Sequence, residues 1–201
     1  MSQHIVRTQD VAPQPWKNGG GTTRELLTWP AASGPLAGAD WRLRISVACI
    51  AHDGPFSRFP GVQRWFAVLD GGGVELALGP ARLTLMPGDA PLAFHGHSAP
   101  QCTLRDGPTQ DLNLMCQGGQ SFMKLIANND SHIAGSRFLA LYAATAGIWS
   151  NGRGDAQALP AHTLLWDATL TPGQRWHFTP ADQTAAPAGY WLGYAPSEVA
   201  V

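Results

Sequence analysis

Short apolar runs recur along the whole chain, and each is cut by glycine, proline, asparagine or aspartate before it reaches the length of an ordinary helix. That punctuation restricts the fold to strands and turns arranged as a sandwich or barrel. The clearest period lies in residues 41–47, where Trp41, Leu43, Ile45 and Val47 fall on one face of a strand and Arg42, Arg44 and Ser46 on the other. A helix would scatter both sets. The run Trp65-Phe66-Ala67-Val68-Leu69 reads as a buried strand closed by Asp70-Gly71-Gly72-Gly73, with 74–78 as the return strand of a hairpin. Further strands are predicted at 81–86, 93–94 and 111–115, and after Gly118-Gly119 the pattern restarts at 122–126, 138–143, 163–165 and 176–178. The expected organisation is all-β, with two packed β-units, 1–118 and 119–201, and no extended linker between them.

Composition narrows the function classes. Thirteen basic and 14 acidic side chains leave a formal net charge of -1, so the chain has no global electrostatic footprint for nucleic acid or an anionic membrane, and a charged partner must be met locally. Three cysteines, Cys49, Cys102 and Cys116, are odd in number and lack CxxC spacing, which argues for free, buried thiols over a disulfide framework or zinc knuckle. The first residues do not lead into the apolar stretch of a signal peptide, and no run approaches the roughly 18 apolar residues needed to cross a bilayer. A soluble cytoplasmic protein is expected. The eight tryptophans read most simply as core, and the aromatics of Gly189-Tyr190-Trp191-Leu192 are read the same way, against the alternative of an exposed interaction patch.

Arg64 carries the sharpest chemical reading, because an arginine just before the buried run 65–69 needs either solvent or an anion. Facing the interior, it calls for a carboxylate, either on a ligand or from an internal salt bridge to Glu25 or Asp111. Arg42 poses the same choice on a neighbouring strand, and two converging guanidinium groups would suit a dicarboxylate. Asp111 and Asn113 share a strand face with Met115; in a pocket Asn113 would hydrogen-bond a ligand amide while Asp111 oriented Arg64, whereas on an outer face both would be solvated. Gly19-Gly20-Gly21 is no phosphate loop, since the Gly-Lys-Ser/Thr ending is missing. It serves either as a permissive turn or as a place for close ligand approach, and Asn18 beside it either caps the turn or offers its amide. His95 and His97 are two apart and could share a metal, but no third ligand lies near them in the sequence, and solvated loop histidines are the stronger reading. The single His177 reads as structural.

The spacing from Gly54 to Arg64 resembles the first cupin motif, in which two histidines and a glutamate bind a divalent metal. Here Ser57 and Phe59 stand at the histidine positions, Arg64 at the glutamate's, and Leu92 at the second motif's histidine. A guanidinium offers donors and no acceptor, so no metal and no cofactor are expected. Four blocks then carry a more specific likeness: Trp16-Lys17-Asn18-Gly19-Gly20-Gly21-Thr22-Thr23-Arg24-Glu25, Trp41-Arg42, Phe56-Ser57-Arg58-Phe59-Pro60-Gly61 and Asp111-Leu112-Asn113-Leu114-Met115. Together, in this order, they resemble the HutD/Ves family over about half the chain. The resemblance implies a bicupin fold, an association with bacterial histidine utilisation, and a pocket for a small acidic intermediate.

Residue chemistry and resemblance together nominate Asn18, Thr23, Arg24, Glu25, Arg42, Arg64, Asp111 and Asn113 for ligand contact, with no catalytic residue. The expected function is non-catalytic binding of a small carboxylate metabolite of histidine breakdown, N-formylglutamate or urocanate. The alternative is a cupin enzyme, using a metal at His95 and His97 or Glu25 or Asp111 as general base. A homodimer through sheet surfaces is compatible with the resemblance.

Overall fold

The computed structural model describes residues 3–30, 41–126, 130–152 and 156–196. In chain order the strands are β1 (His4–Arg7), β2 (Gln14–Pro15), β3 (Gly21–Trp29), β4 (Leu43–Ile50), β5 (Gly54–Pro55), β6 (Val62–Asp70), β7 (Val74–Leu78), β8 (Ala81–Leu85), β9 (Leu92–His95), β10 (Gln101–Leu104), β11 (Thr109–Gln117), β12 (Gly119–Leu125), β13 (Asp130–Ile133), β14 (Phe138–Ala143), β15 (Gly147–Ser150), β16 (Ala156–Leu159), β17 (Thr163–Asp167), β18 (Arg175–Pro180) and β19 (Gly189–Pro196). Among the described residues the helical segments are two short 3₁₀ turns, Thr8–Asp10 and Gly96–Ser98. The fold is all-β, and no helix among the described residues is long and apolar enough to cross a membrane.

The chain forms two compact units. Val11–Gly118 contains a six-stranded sheet, β2-β3-β4-β11-β6-β9, and a four-stranded sheet, β5-β10-β7-β8. Ile50, Phe66, Val68 and Phe94 of the first sheet pack with Leu76, Leu85 and Cys102 of the second, so the core lies between two inward faces whose side chains alternate along each strand. Gly119–Val201 builds its own pair of sheets, β17-β14-β19-β12 and β13-β18-β15-β16. Its core holds Trp149, Trp176 and Trp191 with Leu139, Leu141 and Leu165. The 189–192 segment lies in β19, paired on both sides and fully buried. Cys102 and Cys116 are buried, Cys49 is half-buried, and none of the three is in a disulfide.

Two expectations are corrected. Residues 74–78 are a strand, but not the hairpin partner of 62–70: β6 pairs with β11 and β9, whereas β7 pairs with β10 and β8. The glycine triplet is a corner that carries the chain from one sheet to the other. Gly71 and Gly73 take positive φ of 99° and 83°, and a Cβ on Gly72 would stand 2.4 Å from the Asp106 carbonyl oxygen, conditions that glycine alone meets. The second correction concerns the described residues 3–10, which group with the unit that follows Gly118. There β1 adds itself antiparallel to β17, from His4 opposite Trp166 to Arg7 opposite Thr163. His4 stacks on Trp166 with ring centroids 4.2 Å apart, and the Thr8 hydroxyl hydrogen-bonds that of Tyr142 at 3.3 Å. β1 therefore covers an edge of that sheet, a pairing that local sequence pattern does not encode.

Candidate functional site

The six-stranded sheet of Val11–Gly118 presents three central strands whose inward faces mix cations, amides and apolar groups. Arg44, Ser46, Ala48 and Ile50 come from β4, Asn113 and Met115 from β11, and Arg64 and Phe66 from β6, each set spaced by two. Register fixes their neighbours: Asn113 is opposite Ser46 on one side and Phe66 on the other, and Met115 lies between Arg44 and Arg64. These residues, with Thr23, the loop Pro15-Trp16-Lys17-Asn18 and the segment Pro55-Phe56-Ser57 with Phe59, enclose a cavity of about 430 Å³. That volume lies within the usual range for small-molecule sites.

The loop is held by its own polar groups. Trp16 Nε1 donates to Thr23 Oγ1 at 2.7 Å, the Trp16 N–H donates to the Gly21 carbonyl at 2.9 Å, and Asn18 Oδ1 accepts from the Gly20 N–H at 3.0 Å. Asn18 thus caps the turn and lines the cavity at once. Gly21 is required by close approach, because a Cβ there would stand 2.2 Å from the carbonyl oxygen of Cys49 on β4.

Arg64 is 7% exposed. Its Nη2 donates to Asn113 Oδ1 at 3.1 Å, its Nε has no partner, and its guanidinium carbon stands 5.0, 5.1 and 5.7 Å from the ring centres of Phe56, Phe94 and Phe59. Among the described residues no carboxylate forms an ion pair with it. Burial, and secondarily the charge of Arg44, pull its pKa down to about 10, so it remains cationic at neutral pH. Three phenyl rings supply a cation–π surface, but a buried guanidinium without a carboxylate is a group with unfilled donor capacity.

Arg44, not Arg42, is the second cavity arginine. Arg42 precedes β4 and is exposed, and its main chain is tied to Trp29 and Gln117. Arg44 is already engaged by the protein: its Nε donates to Glu25 Oε2 at 2.9 Å, its Nη2 donates to the same oxygen, and Thr28 Oγ1 donates to Glu25 Oε1 at 2.6 Å. A β-bulge between Glu25 and Leu27 makes this possible, since it brings Glu25 opposite Ser46 and Thr28 opposite Arg44 on one face. Arg24 turns away and donates to the Val11 carbonyl. Asp111 shares the inward face with Asn113 but is fully buried beyond the cavity, where its Oδ2 accepts from Thr109 Oγ1 at 2.8 Å and its Oδ1 has no partner. It does not orient Arg64; Asn113 does.

Of the residues nominated from sequence, Asn18, Thr23, Arg64 and Asn113 meet at the cavity, while Arg24, Glu25, Arg42 and Asp111 are not in its wall. Lys17, Arg44, Ser46, Ser57 and the aromatic lining were missed. Alternation over 41–47 already placed Arg44 beside Ser46, so the signal for it was present. His95 and His97 are exposed, stack on each other at 5.6 Å and lie outside the cavity. Among the described residues no three His, Cys, Asp or Glu side chains gather in a way that could hold a metal.

The family model described as HutD matches residues 8–185. An uncharacterised 21.2 kDa protein in the hutC 3′ region of Pseudomonas putida is 44% identical over 117 residues, a span of 57% of this chain and 59% of that protein. Protein Ves of Citrobacter koseri is 34% identical over 139 residues, covering 68% of this chain and 70% of that protein. Among solved structures, HutD from Pseudomonas fluorescens SBW25 superposes with a TM-score of 0.78 at 24% identity, over 96% of this chain and 100% of that one. More distant structural neighbours are cupin-fold proteins and share the fold alone. A model match over most of the length, with the Trp16–Glu25 and Asp111–Met115 blocks inside it, leads to one assignment: the chain belongs to the HutD family.

Proposed function

We propose that this protein is a non-catalytic binding protein for a small acidic metabolite of histidine degradation, N-formylglutamate or urocanate, and that it modulates histidine utilisation in the cytoplasm. We read its two units as a bicupin in which the Val11–Gly118 unit holds the ligand. The observation that carries the proposal is Arg64, a buried cation at the cavity wall that forms no ion pair with a carboxylate among the described residues. A ligand carboxylate would fill its free donors with charge-assisted hydrogen bonds in a water-poor setting, while Asn113 and Asn18 stand ready for an amide or ring nitrogen. Family membership, and the position of the P. putida relative beside hutC, direct the choice of metabolite.

Binding is favoured over turnover by the disposition of the two candidate bases. Glu25 is clamped by Arg44 and Thr28, and Asp111 is buried against Thr109; neither lines the cavity. The test is calorimetric titration of metal-stripped protein with N-formylglutamate and with urocanate, with product assayed in the same mixtures. Saturable binding without product is the expected result. No binding of either compound, or turnover that appears when a divalent metal is restored, would overturn the reading.

A further inference from the structure

The geometry points to Glu25 as the residue that sets how many ligand charges the cavity accepts: by occupying Arg44 it leaves Arg64, among the described residues, as the free buried cation of the cavity wall, and so makes this a site for one carboxylate. This rests on the carboxylate-binding reading above. Arg44 and Arg64 both line the cavity, with Met115 between them in the register. Left to themselves, two such guanidinium groups would take a dicarboxylate. They are not left equivalent. The Nε–Nη2 edge of Arg44, one of the edges with which a guanidinium grips carboxylates, is committed to Glu25 Oε2, whose charge balances that of Arg44, and Thr28 holds the other oxygen of the same carboxylate. Trp41 flanks the guanidinium 5.4 Å away.

The clamp is built into the strand. Without the bulge between Glu25 and Leu27, Thr28 would fall on the opposite face of β3 from Glu25; with it, both meet Arg44. Arg64, by contrast, has one neutral partner, Asn113, and an open Nε. Lys17 adds charge at the lining, but it is exposed, and water and salt screen it. Glu25 acts through Arg44 without touching ligand, which makes it a specificity-determining residue of the positioning kind.

The test compares N-formylglutamate with N-formylglutamine, which have nearly the same size and differ by one charge, and adds urocanate as a second single carboxylate. In the unsubstituted protein, N-formylglutamate gains no more than about twofold over N-formylglutamine, because the second carboxylate finds no buried free cation. Glu25→Gln frees Arg44 and raises the affinity for N-formylglutamate about tenfold relative to the other two. The double variant Glu25→Gln/Arg44→Met removes that gain, returning the affinity ratio of N-formylglutamate to N-formylglutamine to about that of the unsubstituted protein, which also answers the case in which Glu25→Gln alone fails to fold. A purely structural role for Glu25 would weaken all three ligands together. An unchanged affinity ratio in Glu25→Gln, or a ratio that stays raised in the double variant, overturns this inference and leaves the proposed function standing. If the unsubstituted protein binds none of the three, both fall.

Discussion

Arg64 Nη2 donates to Asn113 Oδ1 at 3.1 Å, and this contact between a buried cation and a neutral amide defines the site. Asn113 fixes the guanidinium without neutralising it. Asn113→Asp would place a carboxylate where the neutral amide now meets Arg64. The variant is expected to stay folded by circular dichroism and to lose carboxylate affinity by at least about tenfold, because a tethered carboxylate outcompetes a free one.

Arg64→Met separates stability from binding. Replacing a buried charge with an apolar side chain of similar reach removes a desolvation cost, so unfolding stability should be unchanged or higher by about 1–3 kcal/mol in urea titrations. Ligand affinity should fall about 100-fold or more, as expected when one partner of a buried charged pair is removed. Paired measurements of the urea midpoint and the dissociation constant check both halves.

Asp111 predicts a pH dependence of stability. Burial drives its carboxyl from an ordinary 3.8 up to about 8, with the Thr109 hydroxyl pulling weakly the other way. The folded protein therefore keeps this proton where the unfolded chain has released it. Between about pH 4 and pH 8 the native state binds more protons than the unfolded state, so this group's contribution to stability falls as pH rises through that window. Asp111→Asn, which mimics the neutral acid, should flatten that part of the stability profile; an unchanged slope would contradict the assignment.

Gly21→Ala tests the seat of the Trp16–Asn18 loop. The added methyl would meet the Cys49 carbonyl oxygen at 2.2 Å, and since that atom is backbone, β3 and β4 must separate locally. A loss of about 2–3 kcal/mol in unfolding stability is expected, as for other overpacked sites, together with weaker ligand binding. Thermal melts in the presence and absence of ligand measure it.

Much of this site could be read from residue pattern, and the failures have specific causes. Alternation over 41–47 put Arg44 and Ser46 on one strand face, and the spacing of Asn113 and Met115 gave their shared face; that both faces line the cavity came from the structure. Arg42 follows the same alternation, but the strand begins only at Leu43, so period two does not extend to it. The Glu25 partnership depends on a bulge, which shifts register by one residue and reverses every face assignment beyond it. Asp111 lies on the correct face at the wrong depth, and depth along a strand has no periodic signature. The glycine corner at 71–73 resembles a hairpin turn because both need positive φ; only the pairing of β7 with β10 and β8 separates them. The docking of β1 on β17 joins segments more than 150 residues apart in the chain, beyond the reach of any local pattern.

The most direct test of the central claim reads Arg64 itself. Its Nε–H is buried and unpartnered, so the arginine Nε signal in a ¹⁵N NMR spectrum, assigned by its loss in Arg64→Met, reports on what arrives there. Saturating N-formylglutamate or urocanate is predicted to shift that signal strongly, as a charge-assisted hydrogen bond forms. Binding detected by calorimetry with the Arg64 signal unmoved would contradict the account.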